Sequence, residues 1–497
     1  MKFGVPRIWR EPSDHNNDCY FCIVDPTKRR AGHEIEYPDL PSASAPIPHS
    51  DELPVPVYSD PSQDVQSSQG GSSEQSSQGQ SSQGTSGSEF ESPGAARSAP
   101  IRYFPNQNDL EDLCKDLDLP KYKSEILISR LKDWNLVDTS ARITVQRKRH
   151  EGYSSFFTED ENLCYCHDVK GLFEAVGIQC LPEDWRLFID SSSESLKAVL
   201  LHNGNVYPSV PVAYSTTLKE SYVSVKTLLS AIKYEDYGWE VIGDFKMIGF
   251  LMGLQKGWTK HPCFLCLWDS RDVDSHYVRK DWPERVSFEV GQKNVMAERL
   301  VEPTKVLLPP LHIKLGLVKQ FITGLDPESA AFQCLSDIFP NLSAAKIKAG
   351  VLTGPQVRTL IASEGFADLL NEEERAAWDS FQAVVSGFLG NNRVSNYEEV
   401  IAEMIRNFHA MGCRMSLKIH VLDSHLNEFY SNLGAFSEEQ GERFHQEIQD
   451  FEHRYRGKRC NTHMMGDYIW SLVRSSDLKY SRKPGKSVRF QVSDKDE

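Results

Sequence analysis

With 497 residues, 39% of them hydrophobic and 25% charged, the chain has the composition of a globular protein long enough for two to four domains. No apolar run reaches the roughly 18 to 20 residues of a bilayer span, and the opening MKFGVPRIWREP lacks the apolar core of a secretory signal, so an intracellular protein away from membranes is expected. The formal net charge of −15 argues against a simple basic DNA-coating protein but leaves room for a local basic channel and for carboxylates gathered around Mg2+.

The 11 cysteines fall partly into short pairs, Cys19/Cys22, Cys164/Cys166 and Cys263/Cys266. In a reducing compartment such pairs point to zinc or to buried thiols rather than disulfides. Residues 1–58 are proline-rich and polar, and a segment so poor in apolar groups needs a staple to fold. Cys19, Cys22, His33 and His49 supply a zinc-ligand set for it, against the alternative of a tail with two incidental cysteines. Residues 59–100 are Ser, Gln and Gly with almost nothing to bury, so they read as a disordered linker.

Residues 101–180 are expected to form a small helical subdomain. Leu110, Leu113 and Leu117, then Ile126, Leu127 and Leu131, recur at helical spacing, with Pro120 opening the second helix. Such a pair can bind DNA or simply pack, and the shortage of basic groups on the second helix favours packing. The run Gln146 to His150 (QRKRH) reads as a solvated basic loop, with a nuclear signal or a phosphate contact as the alternative.

From residue 181 to 262 the pattern changes to strands. WRLFIDSSSESLKAVLLHNGNVYPSVPVAYS predicts a strand ending at Asp190, a second over Leu196 to Leu201, a turn at His202-Asn203-Gly204-Asn205, and a third over Val206 to Val212. Asp190 can be a turn cap or a catalytic carboxylate. A helix follows, and then Val241-Ile242 leads into Asp244, a carboxylate at the end of a buried strand, where open α/β sheets place ligands.

Residues 263–425 read as a helical insertion. Cys263 and Cys266 are half of a tetrahedral zinc site, and His420 and His425 in SLKIHVLDSH supply the other half, with one histidine falling past its helix end. LLPPLHIKLGLVKQFITGL is an amphipathic helix behind a proline pair, and its His312 either faces a scissile phosphate or lies in a satisfied core. Residues 426–475 end the core with a helix capped by Ser437. Its first-turn acids Glu438 and Glu439 are explained by the helix dipole, Glu442 is the preferred metal-facing carboxylate, and Glu439 is the alternate. Phe444, Ile448 and Phe451 form its buried stripe, while Arg443, His445, His453, Arg454 and Arg456 make a basic surface suited to phosphates. Residues 476–497 are polar and expected to be disordered.

Taken together, Asp190, Asp244 followed by a helix and CxxC, the Leu311-His312 to Gly316 motif (LHxxxG), HxxxxH and the GAFSEE run before Glu442 resemble the catalytic core of Transib transposases and the related V(D)J recombinase catalytic subunit. The resemblance covers roughly Trp185 to Trp470, and the chain is also similar to an uncharacterised transposon-related group of animal proteins. It implies an RNase H-like mixed α/β sheet with a large helical insertion, a triad of Asp190, Asp244 and Glu442 on Mg2+ (or Mn2+), and structural Zn2+ on Cys263, Cys266, His420 and His425. It further implies a nuclear DDE transposase that cleaves and joins DNA at transposon ends and target sites, as a homodimer without a small-molecule substrate. The competing expectations are an inactive, domesticated DNA- or protein-binding module and a structure-selective nuclease of the same fold.

Overall fold

The computed structural model describes residues 103–474 except 192–194, 258, 364 and 458–459, together with Ile8–Trp9, Asp18, Leu40 and Ala43–Ser44. Cys19, Cys22, His33 and His49, the 59–100 linker and the 476–497 tail lie outside the described residues. The chain divides into two units, Met1–Arg97 and Ser98–Glu497. In the first, Ile8–Trp9 pairs antiparallel with Ala43–Ser44.

The second unit opens with α1 (Gln107–Asp116), whose start is fixed by a capping box between Asn106 and Asp109, and α2 (Lys121–Asp133), which follows Pro120. Leu110, Cys114, Ile128, Val137 and Ala141 give this pair a small core of its own. In the following basic run Arg147 and Lys148 are solvated as expected, but the run is not a loop and its other members are buried. Gln146 is fully buried, and Arg149 reaches across the chain to Asp467 at 2.6 Å, stacks on Trp470 and donates to the Leu119 carbonyl. A buried guanidinium is tolerated only when paired and hydrogen-bonded, and here that pairing fastens the helix pair to the C-terminal helix.

Residues 157–166, expected within a helical subdomain, are strands. β1 (Phe157–Asp160) and β2 (Leu163–Cys166) form a hairpin whose two turn residues, Glu161 and Asn162, both have positive φ. α3 (Val169–Val176) follows, N-capped by the Asp168 side chain. Then come β3 (Trp185–Ser191), β4 (Leu196–His202) and β5 (Val210–Ser215), α4 (Tyr222–Ala231), and the short β6 (Glu240–Ile242). The six strands make one mixed sheet in the order β1-β2-β5-β4-β3-β6, antiparallel except that β6 runs parallel to β3.

β3, β4 and β5 are buried on both faces, which explains their near-continuous apolar runs. β5 begins later than its sequence suggested because Arg186 of β3 holds the preceding turn. Its guanidinium donates to the His202 carbonyl, the Asn203 and Asn205 side chains and the Ser437 carbonyl. Pro211, which has no N–H to give a ladder, sits beside the irregularity between Ala198 and Val199 in β4.

Beyond the sheet the chain is helical: α5 (Phe245–Leu251), α6 (Pro310–Gly324), α7 (Ala330–Ile338), α8 (Gly354–Ile361), α9 (Glu372–Gly387), α10 (Tyr397–Ala410), α11 (Leu417–Ser424), α12 (Glu439–Tyr455) and α13 (Asn461–Val473). Leu307 donates to the Val241 carbonyl, so the segment entering α6 lies against the free edge of β6. α6 packs on α8, α9 and α11, and one continuous core runs from the sheet through these helices. α12 lies on the sheet through Phe444, Ile448 and Phe451, the stripe its sequence predicted.

Candidate carboxylate and metal centres

The described residues contain one group of metal-ligating side chains that meets a metal-binding geometry, Cys263, Cys266, His420 and His425. Their four donor atoms all lie within 4.8 Å of one another. His420 Nε2 is 3.2 Å from Cys266 Sγ, and His425 Nε2 is 3.3 Å from Cys266 Sγ and 3.6 Å from Cys263 Sγ. Tetrahedral zinc with bonds of about 2.0 to 2.3 Å needs ligand-to-ligand edges of roughly 3.3 to 3.8 Å, so this Cys2His2 cluster can hold zinc.

Local structure explains how the two halves meet. α11 starts on the Ser416 side chain, carries His420 on its buried face, and ends at Ser424, so His425 is its C-cap residue and turns back toward the same point. The CxxC turn is braced by Arg285, which donates to the carbonyls of Cys263, His261 and Lys293. Trp268 stacks on the His420 ring at 4.6 Å and shields it from water. Burial opposes ionisation of Cys263, but hydrogen bonds from Cys266, His420 and His425 outweigh it and hold that thiol well below its ordinary value. The hydrogen bond to Cys263, with burial, pushes Cys266 the other way.

The carboxylates predicted to bind Mg2+ arise on three separate elements. Asp190 lies near the end of β3, and Asp244 follows β6, its parallel neighbour, so adjacent strands deliver both to one end of the sheet. Gly243 makes this possible: a Cβ there would stand 2.8 Å from the Ile189 carbonyl oxygen. Asp244 also N-caps α5, its Oδ1 accepting from the Met247 N–H at 2.6 Å. Glu442 comes from the first turn of α12, which crosses β3 at Gly441, where a Cβ would collide with the Phe188 ring. A bare glycine next to each of two carboxylates lets the backbone carrying them approach the sheet.

Two histidines stand between these acids. His445, one turn after Glu442, places Nε2 2.7 Å from Asp190 Oδ2 as an ion-pair contact. His312, in the first turn of α6, places Nε2 3.7 Å from Glu442 Oε1. Its other face is held by Glu438, whose Oε1 accepts from the His312 backbone N–H at 2.8 Å and faces His312 Nδ1 at 3.0 Å. Burial alone would lower the His312 pKa, but the Glu438 hydrogen bond and the charges of Glu438, Glu442 and Asp244 raise it. Burial raises the Glu442 pKa and Asp190 adds to the rise, against His312 and His445. Glu442 is thus a carboxylate whose charge is disfavoured first by burial and further by Asp190.

Several residues differ from their sequence reading. Glu438 is not a solvated dipole partner: it is fully buried, and it caps α6, whose opening prolines offer no N–H. Glu439 turns to Arg358 at 2.9 Å on a partly exposed surface, while Ser437 accepts from the Glu439 N–H one residue before the assigned cap. The basic surface of α12 is partly occupied, since His445 meets Asp190, Arg443 pairs with Glu447 at 3.2 Å, and Arg454 donates to the Asp118 carbonyl. Lys418 was missed. It lies on α11, its side chain crosses α6 at Gly316, and its ammonium feels the charges of Asp244, Lys319 and Glu438. The signal in the sequence was Gly316, a helix-interior glycine that leaves a track for another side chain.

Residues 145–301 match a family described as Domain of unknown function (DUF8703), and residues 310–390 match Domain of unknown function (DUF8704). No curated protein matches the chain. Among solved structures, the chain is similar to one titled "Drosophila P element transposase strand transfer complex", with 11% identity, a TM-score of 0.40, and coverage of 76% of this chain and 94% of that one. No helix among the described residues is long and apolar enough to cross a membrane.

Proposed function

We propose that the chain is a metal-dependent polynucleotidyl transferase of the DDE transposase type, acting on DNA in the nucleus, with an RNase H-like core. What supports this reading is that β3 and its parallel neighbour β6 carry Asp190 and Asp244 to one end of the sheet, while Glu442 on α12 feels the charge of Asp190 and shares His312 with Asp244. The antiparallel β3-β4-β5 meander with β6 parallel beside β3 is the strand arrangement that an RNase H-like core requires. It sets two aspartates at one sheet end, and Gly441 brings the turn of α12 that carries Glu442 onto Phe188 of β3.

Asp190, Asp244 and Glu442 would hold divalent cations, Mg2+ or Mn2+, which when bound activate the attacking oxygen and stabilise the leaving oxygen of a phosphodiester. Asp190 and Glu442 keep partly open faces, so substrate can reach them. His445 contacts Asp190, and His312, fixed by Glu438, faces Glu442, so each of these acids has a histidine partner before any cation arrives. The Cys263, Cys266, His420 and His425 cluster holds zinc as a structural staple that ties the CxxC turn to α11. By analogy of chemistry alone, joining two DNA ends calls for a pair of chains.

The test incubates purified, zinc-loaded protein with labelled duplex DNA and Mg2+ or Mn2+, beside Asp244→Asn. Metal-dependent nicking or joining that disappears in the variant supports the reading. Absence of such products in the wild type, on plain duplex and on branched substrates alike, leaves the carboxylates without a catalytic role.

A further inference from the structure

Lys418 is a half-buried cation with an unusual setting. Its stem lies across α6 at Gly316, where any side chain would collide with it. Its electrostatic neighbours are Asp244, Lys319 and Glu438. Lys319 follows Gly316 by three residues on α6, so it lies on the same helix face, exposed to solvent. Among the described residues neither ammonium makes a hydrogen bond or an ion pair, although the acids are close by. Burial and Lys319 disfavour the Lys418 charge while Asp244 and Glu438 favour it, so the ammonium is kept charged without being tied up in a direct contact.

α11 fixes the position of Lys418. Its N-terminus is capped by Ser416, and its far end is clamped through His420 and His425 to Cys263 and Cys266. Lys418 lies between the cap and the clamp, so the zinc-binding cluster and the track over Gly316 together leave it little freedom. The cluster therefore does more than staple the insertion, because it aims a cation at the edge of the carboxylate group.

We propose that Lys418 and Lys319 each grip a backbone phosphate, two neighbouring phosphates of the substrate strand next to the carboxylate cluster. An ammonium is a point charge that suits a phosphate oxygen without demanding a base sequence. The inference rests on the reading of the chain as a DNA-acting enzyme and deepens it by assigning two strand-holding residues.

The experiment measures binding of the zinc-loaded full-length chain to a fluorescent duplex, with Ca2+ in place of Mg2+, between about 50 and 200 mM salt. Each phosphate contact contributes about 0.9 to the slope of log affinity against log salt on duplex DNA. Lys418→Met and Lys319→Met are each expected to make the slope shallower by about 0.9, the pair by about 1.8, while Lys418→Arg leaves it unchanged. Zinc content and melting temperature, measured in parallel, should match the wild type. If wild type binds and both Met variants keep its slope, the inference is overturned while the function reading stands. If wild type binds no duplex, both fall. Should Lys418→Met lose zinc or unfold, the exposed Lys319→Met decides: a shallower slope supports the track, and an unchanged slope rejects it.

Discussion

The Cys2His2 cluster and the carboxylates Asp190, Asp244 and Glu442 are built by opposite rules. The four donors of the cysteine-histidine group are already gathered within the span of one ion, three of the residues buried and His425 half-buried, with Trp268 and Arg285 closing the surroundings. Asp190, Asp244 and Glu442 are partly open, and each has a second engagement: Asp190 with His445, Asp244 as a helix cap, Glu442 facing His312. A closed, preassembled cluster suits an ion that never leaves. An open set of carboxylates, each with a provisional partner, suits ions that arrive with a substrate.

The largest effect that separates the two regions should come from Cys263→Ser or from strong zinc chelation. Structural zinc contributes on the order of 10 kcal/mol, comparable to the whole stability of a domain, so the cooperative melting transition should vanish. A variant that melts like the wild type would refute the staple. At Asp244 the two roles can be separated: Asn keeps a capping oxygen and loses the charge, whereas Ala loses both. Asp244→Asn should abolish metal-dependent nicking with little change in melting, and Asp244→Ala should cost a further ~1 kcal/mol from the lost cap.

Gly441→Ala tests the mounting of α12 rather than its acid. Overpacking against Phe188 should cost about 1–3 kcal/mol, and the displaced Glu442 should lower nicking along with stability. Wild-type activity in this variant would mean that the close approach is not what positions Glu442. The smallest effect is on pH dependence. Because the folded Glu442 pKa is raised above its ordinary 4.5, metal-free protein is relatively stabilised below that value and loses this contribution as pH climbs through the raised one. Glu442→Gln should flatten the melting temperature over that window; an identical profile would mean that burying the Glu442 charge costs nothing.

Elements whose chemistry is local were legible in the sequence. The α12 stripe followed from helical period, the strand into Asp244 from its apolar run, and His425 beyond a helix end from the five-residue spacing. What was not legible depends on distant partners. Arg149 and Asp467 are 318 residues apart, so a buried ion pair looked like a basic loop. Glu438 looked like a dipole partner because its real partner, the orphan N–H of His312, lies 126 residues away. The β1-β2 hairpin was missed because its strands are four residues each and its Glu161-Asn162 turn is polar without glycine. The start of β5 was misjudged because Arg186, a charged residue inside a strand, anchors the turn before it.

On the proposed reading the chain carries a second, exchangeable divalent-cation site distinct from the cysteine-histidine cluster. Electron paramagnetic resonance of Mn2+ added to zinc-loaded protein with duplex DNA tests it directly, comparing wild type with the Asp190→Asn, Glu442→Gln double variant. The account predicts uptake of about two Mn2+ per wild-type chain, and none at this site in the double variant, at unchanged zinc content. Equal Mn2+ uptake by both proteins would contradict it.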